Sequence, residues 1–270
     1  MATSRMAREA RNHRRRRIIR RGLRAYSAVA LTAFALMAFG YTTKGFDAAI
    51  VRSDARVEVT EHDGLRTFSP RGAADHAALL FLPGALVDPD AYAPMARAVA
   101  ERGYAVTVMP LPYRAALSTK GTEGVLRTAE SFLLSDGSGR RWVVAGHSRG
   151  GLLTARFAHS HPELLAGVVL IGTTHPTARD DLSDTPLRVT KVYGTRDGVA
   201  PPEKVLSNRA YVPATTHWVR IEGGNHVQFG DYRYQLLDRR ATIPRGLQQR
   251  IVVEALCDAL KRADVRGRGR

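Results

Sequence analysis

One short segment of the sequence has the residue types needed for nucleophilic attack on a carbonyl group. Residues 146–151 read Gly-His-Ser-Arg-Gly-Gly, a G-x-S-x-G pattern that follows an apolar run and precedes a stretch with helical periodicity. A turn of this kind holds its serine in a strained backbone conformation and exposes the hydroxyl. Glycine is required at Gly146 and Gly150, because a side chain there would collide across the turn. The pattern therefore predicts Ser148 as a nucleophile.

A serine hydroxyl is a weak nucleophile without a base, and the base needs an acid to orient it. In open α/β sheets the functional groups gather beyond the carboxyl ends of the strands. Asp197 and His226 follow predicted strands by four and five residues, and the chain order serine, aspartate, histidine matches that of hydrolases with this turn. We predict His226 as the base and Asp197 as the acid. His175 is the rival base and Asp231 the rival acid.

The oxyanion that forms during attack on a carbonyl needs hydrogen-bond donors. The backbone N–H of Arg149, directly after the nucleophile, is expected to be one donor. The other is expected in the loop that follows the apolar run 77–82, with the Ala85 N–H as first choice and the Leu86 N–H as second. Ala85 and Arg149 are therefore the predicted oxyanion hole.

A sheet must position these residues, and apolar runs alternate with helical patterns along the body of the chain. The predicted strands are 56–61, 65–69, 77–82, 104–109, 142–145, 167–171, 187–193 and 218–221, and the predicted helices are 91–102, 123–134, 151–159 and 247–262. Strands 77–82 and 167–171 are apolar without alternation, which is typical of central strands buried on both faces. The order predicts an α/β fold with a mostly parallel central sheet, an antiparallel start and helices on both faces.

The composition fits one such domain and excludes several other classes of protein. The chain has 270 residues, 44% of them hydrophobic, which is too apolar for a disordered tail. Its single Cys excludes an internal disulfide and a cysteine-based zinc site. The net charge of +16 resides mainly at the ends, with +9 in residues 1–24 and +4 in residues 261–270. Because the body is nearly neutral, nucleic acid is not an expected partner.

The basic head, residues 1–24, leads directly into residues 25–43, which carry no charge. Nineteen residues span roughly 28 Å as a helix, close to the hydrocarbon thickness of a bilayer. This segment is predicted to be a transmembrane anchor or, alternatively, a cleaved signal. The positive-inside rule then places the catalytic domain outside the cytoplasm, tethered to the membrane or secreted after cleavage. Residues 44–55 are predicted as a linker, 56–262 as the catalytic domain and 263–270 as a basic tail.

The motifs together resemble those of the alpha/beta-hydrolases, most closely the fold-5, dienelactone-hydrolase-like subgroup. The resemblance covers about residues 75–260. It is carried by Phe-Leu-Pro-Gly-Ala at 81–85, the serine turn, Tyr-Gly-Thr-Arg-Asp-Gly at 193–198 and Glu-Gly-Gly-Asn-His-Val-Gln-Phe-Gly-Asp-Tyr at 222–232. It implies the alpha/beta-hydrolase fold and a triad of Ser148, Asp197 and His226. The family usually continues with a Gly- and Pro-containing turn, whereas residues 233–237 read Arg-Tyr-Gln-Leu-Leu, which affects the loop beside the histidine and substrate choice.

The expected reaction is hydrolysis of a small carboxylic ester through an acyl-enzyme on Ser148. Only residues 172–186 lie between the sixth and seventh predicted strands, too few for a lid with its own core. An open site is therefore expected, which disfavours long-chain lipids. Acyl transfer to an alcohol and a non-catalytic, membrane-tethered binding module are the alternatives. No cofactor or metal is expected because the triad needs none, and the oligomeric state is left open.

Overall fold

The computed structural model describes residues 2–45, 47–72 and 77–265, with the backbone alone described for residues 2–13, 33, 36–40 and 265. The chain divides into two compact units, residues 1–40 and residues 41–270.

The first unit is one long helix, α1 (Ala2–Gly40). Arg and Ala are frequent in it and both are strong helix formers, so the predicted boundary at residue 25 does not interrupt the helix. Across the part of the chain that the structure describes, no helix is both long and apolar enough to span a membrane. The apolar segment predicted at 25–43 includes residues 33 and 36–40, whose side chains lie outside the described part.

The second unit is built on an eight-stranded sheet. Its strands are β1 (Val57–His62), β2 (Leu65–Pro70), β3 (Ala77–Leu82), β4 (Ala105–Val108), β5 (Arg141–His147), β6 (Gly167–Ile171), β7 (Arg188–Gly194) and β8 (His217–Ile221). They lie in the order β1-β2-β4-β3-β5-β6-β7-β8. The β1–β2 and β2–β4 pairs are antiparallel and the others are parallel. The mostly parallel sheet with an antiparallel start is confirmed.

Helices cover both faces of this sheet, as predicted. They are α2 (Ala93–Ala100), α3 (Thr119–Ser135), α4 (Arg149–Ser160), α5 (Pro202–Ser207) and α6 (Arg245–Val265). Helix α2 packs on α6, and α3 packs on α4. Helices α4 and α6 both contact β3, β5 and β6, which places them on opposite faces of the same strands. The sequence did not predict α5, because six residues are too few to show a helical period.

The core lies between the sheet and its two helical layers. Every residue of β3 and of β6 is buried, which confirms that these apolar runs are central strands. Burial of each Leu, Ile or Val side chain stabilises the fold by about 1.5–3 kcal/mol. This rigid centre fixes the carboxyl edge of the sheet, where the loops that carry the predicted site residues begin.

The described part of residues 44–55, predicted as a linker, is exposed or half-exposed and is tied to the domain by hydrogen bonds. Just before them, Tyr41 is 7% exposed and its ring stacks on Tyr232 with centroids 6.0 Å apart. Further along, the Arg97 guanidinium donates from Nε to the Ile50 carbonyl at 2.8 Å. Hydrogen bonds from an arginine on α2 thus hold part of the predicted linker, whose described residues are not buried. The compact unit begins at Tyr41.

The carboxyl-terminal boundary also differs from the prediction. Helix α6 continues to Val265, and Ala263 is buried. The predicted basic tail at 263–270 therefore starts inside the helix. Residues 266–270 lie outside the described part of the chain.

Candidate active site

Ser148 lies at the turn between β5 and α4. Its φ is 53° and its ψ is −112°, a positive-φ conformation that costs a non-glycine residue about 1–3 kcal/mol. The residue is half-buried, and its backbone N–H donates to the Ile171 carbonyl at 2.9 Å. A Cβ at Gly146 would collide with the Gly150 carbonyl, and one at Gly150 with the Leu82 carbonyl. The turn thus needs both glycines, and it holds Ser148 at the carboxyl edge of the sheet.

Asp197 follows β7, His226 follows β8, and the two side chains are hydrogen-bonded. His226 Nδ1 lies 2.8 Å from Asp197 Oδ2, and the side chains are 1% and 0% exposed. The second carboxylate oxygen accepts from the backbone N–H groups of Val199 and Ala200 at 2.8 and 2.7 Å. These bonds fix the carboxylate. With Nδ1–H donating to it, Nε2 of His226 keeps a lone pair that accepts a proton.

The contact between the serine turn and this pair is made by His147. The ring centroids of His147 and His226 are 4.5 Å apart, and His147 directly precedes Ser148. Within the described residues, no hydrogen bond joins the Ser148 hydroxyl to His226. Such bonds are often long in the absence of substrate. The site therefore contains a formed histidine–aspartate pair with an unbonded serine beside it.

The two predicted oxyanion donors are both available. Arg149 is the first residue of α4, and the first N–H groups of a helix have no partner inside it. Among the described residues, neither the Arg149 N–H nor the Ala85 N–H has an acceptor. The Leu86 N–H, by contrast, donates to the Arg114 carbonyl at 2.5 Å. Of the two choices in the loop after β3, Ala85 thus keeps its donor and Leu86 does not.

His147 and Tyr92 connect the serine turn to the loop after β3. The Tyr92 hydroxyl lies 2.7 Å from His147 Nδ1 and accepts the Gly84 N–H at 3.0 Å. Burial, followed by the neighbouring His226, holds the pKa of His147 well below its usual range. Burial also raises the pKa of the Tyr92 hydroxyl. Both groups are therefore neutral, and the Tyr92 O–H donates to His147, which fixes the loop against the serine turn.

Two residues that the sequence analysis missed hold the loops of the histidine–aspartate pair. The Asp238 carboxylate accepts the Gly198 N–H at 3.0 Å and the Val227 N–H at 2.8 Å, so it ties the loop after β7 to the loop after β8. Gln248, fully buried on α6, accepts the Asn225 N–H at 3.0 Å and donates to the Asn225 carbonyl at 2.7 Å. Their partners are backbone groups 11 to 40 residues away, which no local sequence pattern signals.

The rival base, His175, belongs to a second histidine–aspartate pair in the loop after β6. His175 Nδ1 lies 2.8 Å from Asp180 Oδ2, and the side chains are 21% and 1% exposed. Asp180 also accepts from the N–H and the hydroxyl of Thr177 at 2.9 and 2.6 Å. The buried Lys191 ammonium donates to the carbonyls of Thr173 and His175 at 2.8 and 2.5 Å. These hydrogen bonds stabilise the loop after β6.

Asp231, the rival acid, lies beside an arginine at the start of α6. The side chain of Asp231 lies 3.5 Å from Nε of Arg245. Between β6 and β7, residues 172–187 form turns and no helix, so this segment supplies no helical lid. In the described part of the chain, no three His, Cys, Asp or Glu side chains are grouped to hold a metal ion.

The strand order and the serine turn define an alpha/beta-hydrolase. Residues 78–250 match the model of the alpha/beta hydrolase family, and the chain belongs to this family. The finer resemblance to dienelactone-hydrolase-like enzymes stays a prediction from the motifs. Comparison with curated proteins gives no significant match.

Solved structures of the same fold include esterases and lipases. The chain is similar to brefeldin A esterase, a bacterial homologue of human hormone sensitive lipase, with 15% identity, a TM-score of 0.59, and coverage of 88% of this chain and 85% of that one. It is similar to the Pyrobaculum calidifontis esterase (16% identity, TM-score 0.55, 78% and 86% covered). It is also similar to the Paleococcus ferrophilus monoacylglycerol lipase (14% identity, TM-score 0.55, 75% and 99% covered). At these identities the likeness shows the fold alone.

Proposed function

We propose that this protein is a serine hydrolase that cleaves carboxylic esters, with Ser148, His226 and Asp197 as its triad. One observation carries the proposal: the strained turn presents Ser148 at the sheet edge where the buried His226–Asp197 pair lies. Membership of the alpha/beta hydrolase family supports it. The structural neighbours, two esterases and a monoacylglycerol lipase, point in the same direction.

In the proposed reaction, Ser148 Oγ attacks the ester carbonyl while His226 Nε2 accepts its proton. The oxyanion receives hydrogen bonds from the backbone N–H groups of Ala85 and Arg149. Asp197 stabilises the protonated His226, which then gives its proton to the departing alcohol. Water repeats these steps on the acyl-enzyme, which releases the acid and restores Ser148.

Covalent labelling with a serine-reactive fluorophosphonate tests this proposal on the full chain. The variant is Ser148→Ala, and the matched control is Ser160→Ala, an exposed serine at the end of α4. We expect the parent and Ser160→Ala to take the label and Ser148→Ala to take none. For a p-nitrophenyl ester, kcat of Ser148→Ala falls by about 10⁴–10⁶-fold, and its thermal midpoint stays close to that of the parent.

Labelling of Ser148→Ala at the parent level would contradict the proposed nucleophile. A folded parent that takes no label would favour the non-catalytic binding module. Product analysis in the presence of an added alcohol separates hydrolysis from acyl transfer, because the acyl-enzyme is common to both reactions.

We also propose that the N-terminal segment directs the protein out of the cytoplasm, as an uncleaved anchor or as a cleaved signal. Its support is the sequence, in which ten Arg and one acid in residues 1–24 precede the uncharged residues 25–43. In a bacterial host we expect the domain in the membrane fraction and accessible to external protease, or shortened and released. Recovery of all full-length chain from the cytosolic fraction would contradict this.

A further inference from the structure

The hydrolase domain exposes ten large apolar side chains in its described part, and seven of them lie in loops at one edge of the sheet. We define these seven as the apolar rim: Leu86, Tyr113, Leu117, Val199, Tyr234, Leu236 and Leu237. Tyr113 is fully exposed and Leu237 is 80% exposed. Single exposed apolar residues are ordinary on a protein surface, whereas a group of them marks an interaction site.

The apolar rim lies at the edge that carries Ser148. Its members belong to loops that follow β3, β4, β7 and β8, and the carboxyl ends of parallel strands share one edge. Leu86 adjoins Ala85, the proposed oxyanion donor. Leu237 adjoins Asp238, whose carboxylate joins the loops of the histidine–aspartate pair. The rim therefore borders the entrance to the proposed catalytic centre.

Three residues of the apolar rim are bulky and apolar at positions where the backbone has a positive φ. Leu86, Tyr113 and Leu237 have φ values of 66°, 51° and 68°. This left-handed region is strained for bulky residues, whereas Gly, Asn or Asp adopts it more readily. An exposed side chain gains little from packing within the domain, so the packing of these side chains offsets little of this strain. Exposure and strain together indicate that these side chains serve a partner outside the domain.

Basic side chains accompany the apolar rim. Arg239 and Arg240 directly follow Leu237 and Asp238 in the sequence and are exposed. In the described part of the chain neither arginine has an ion-pair partner. Lys120, at the start of α3, and Arg196, after β7, are exposed in neighbouring segments. Apolar side chains flanked by Arg and Lys fit the interface of a bilayer that contains anionic lipid. The apolar side chains enter the acyl region, and the basic side chains are attracted to the anionic headgroups.

We propose that the apolar rim docks the entrance of the active site onto an anionic lipid surface, from which the ester substrate enters. The docking rests on the exposed residues alone, and the substrate source rests on the proposed hydrolase function. The lipid phase supplies the apolar enclosure that the segment between β6 and β7 does not form. Lipid esters therefore become substrates of an open site, which replaces the expectation that long-chain lipids are disfavoured.

A polarity-sensitive fluorophore on the apolar rim tests docking in the full chain. In a Cys257→Ser background, which removes the single cysteine, the fluorophore nitrobenzoxadiazole is attached to Leu237→Cys or, as a matched control, to Leu134→Cys. Leu134 is also an exposed leucine, but it lies near the end of α3, shortly before β5 begins at the opposite edge of the sheet. With vesicles of phosphatidylglycerol and phosphatidylcholine, we expect emission from position 237 to shift to shorter wavelength and emission from position 134 to stay unchanged. This readout is local, so vesicle binding by the basic helix α1 does not by itself produce it.

The paired variant Leu236→Asp/Leu237→Asp tests the source of substrate. Asp tolerates the left-handed backbone at position 237 better than Leu, so the change adds no strain there. We expect hydrolysis of an ester embedded in the same vesicles to fall at least about tenfold, because two apolar groups no longer enter the lipid. Hydrolysis of soluble p-nitrophenyl acetate stays at the parent rate. Leu134→Asp keeps both activities.

The absence of a shift at position 237, or equal shifts at positions 237 and 134, would overturn the docking. A shift that appears with rising protein concentration and no vesicles would overturn it in favour of a second copy of the chain on this face. Unchanged hydrolysis of the embedded ester by the paired variant would overturn the substrate source. Failure of the hydrolase proposal gives a different result, in which the parent hydrolyses neither ester and the emission shift at position 237 persists. That result would still support docking.

Discussion

The domain contains two histidine–aspartate pairs with the same hydrogen-bond length and different surroundings. The Nδ1–Oδ2 distance is 2.8 Å in both. His226 and Asp197 are 29 residues apart and join two loops, whereas His175 and Asp180 are five residues apart in one loop. The first pair is almost fully buried, and the histidine of the second is partly exposed. The length of the bond therefore does not distinguish the proposed catalytic pair from the second pair.

The neighbours of each pair distinguish them. The acid of the first pair accepts two further hydrogen bonds from backbone N–H groups, and its histidine ring lies 4.5 Å from His147, the residue before the proposed nucleophile. The acid of the second pair is shared with Thr177, and Lys191 donates to carbonyls of the same loop. The residues around a histidine–aspartate pair, and not the pair alone, therefore indicate its role.

Replacing each histidine by alanine is the strongest test of this comparison. We expect His226→Ala to lower kcat by about 10⁴-fold or more, because it removes the proposed base beside Ser148. His175→Ala should keep kcat and lower the free energy of unfolding by about 1–3 kcal/mol, because the buried Asp180 loses a partner. Steady-state kinetics and urea unfolding measure the two effects. A folded His175→Ala variant without activity, alongside an active His226→Ala variant, would exchange the two roles.

A smaller effect is expected from Asp238→Asn, which weakens the tie between the two loops of the catalytic pair. An amide has one acceptor oxygen, so the N–H of Gly198 or of Val227 loses its acceptor. We expect kcat to fall about tenfold with KM unchanged, because a small displacement of the base is costly to catalysis. The control is Asp181→Asn, whose carboxylate accepts the Ser183 N–H at 2.8 Å in the loop of the second pair. Equal losses of kcat in both variants would argue against a specific tie.

The last expected effect concerns the pH dependence of stability and leaves the proposed chemistry untouched; it belongs to the second pair. Burial lowers the pKa of Lys191 from 10.5 to about 7, and Asp180 opposes this shift. Between these two values the unfolded chain binds more protons than the folded one, so this group makes the free energy of unfolding rise with pH. Lys191→Met removes the contribution, and the variant should show a flatter pH dependence than the parent in urea unfolding from pH 7 to about pH 10. Parallel pH profiles would show that Lys191 is charged in the fold throughout.

Much of the fold was predictable from the sequence because its central strands have a simple physical signature. A parallel strand covered on both faces reads as an unbroken apolar run, as in β3 and β6. The turn at Ser148 was visible through its glycines, since the backbone approaches too closely there for a side chain. The positions of Asp197 and His226 after predicted strands indicated that they lie close together, because parallel strands bring their carboxyl ends to one edge, and the two side chains are hydrogen-bonded.

The missed parts depend on contacts between distant segments. Asp238 and Gln248 bond to backbone groups of distant segments and Tyr92 bonds to the side chain of His147, and a polar side chain with a remote partner leaves no periodic or spacing signal. The contacts made by Tyr41 and Ile50 ahead of the first strand leave no sequence signal for the same reason. These contacts are aromatic stacking and a hydrogen bond from an arginine on α2, and they do not depend on local propensity.

The contact between Tyr41 and the loop after β8 determines how short a working enzyme can be. Tyr41 stacks on Tyr232, and Thr43 forms an antiparallel bridge with the same residue, so the entry of the chain into the domain braces the loop that carries His226. A protein trimmed to begin at Val57 would keep all three proposed triad residues and lose the brace that supports one of them. We therefore expect the shortest fragment that keeps this brace to begin at Tyr41, sixteen residues before the first strand.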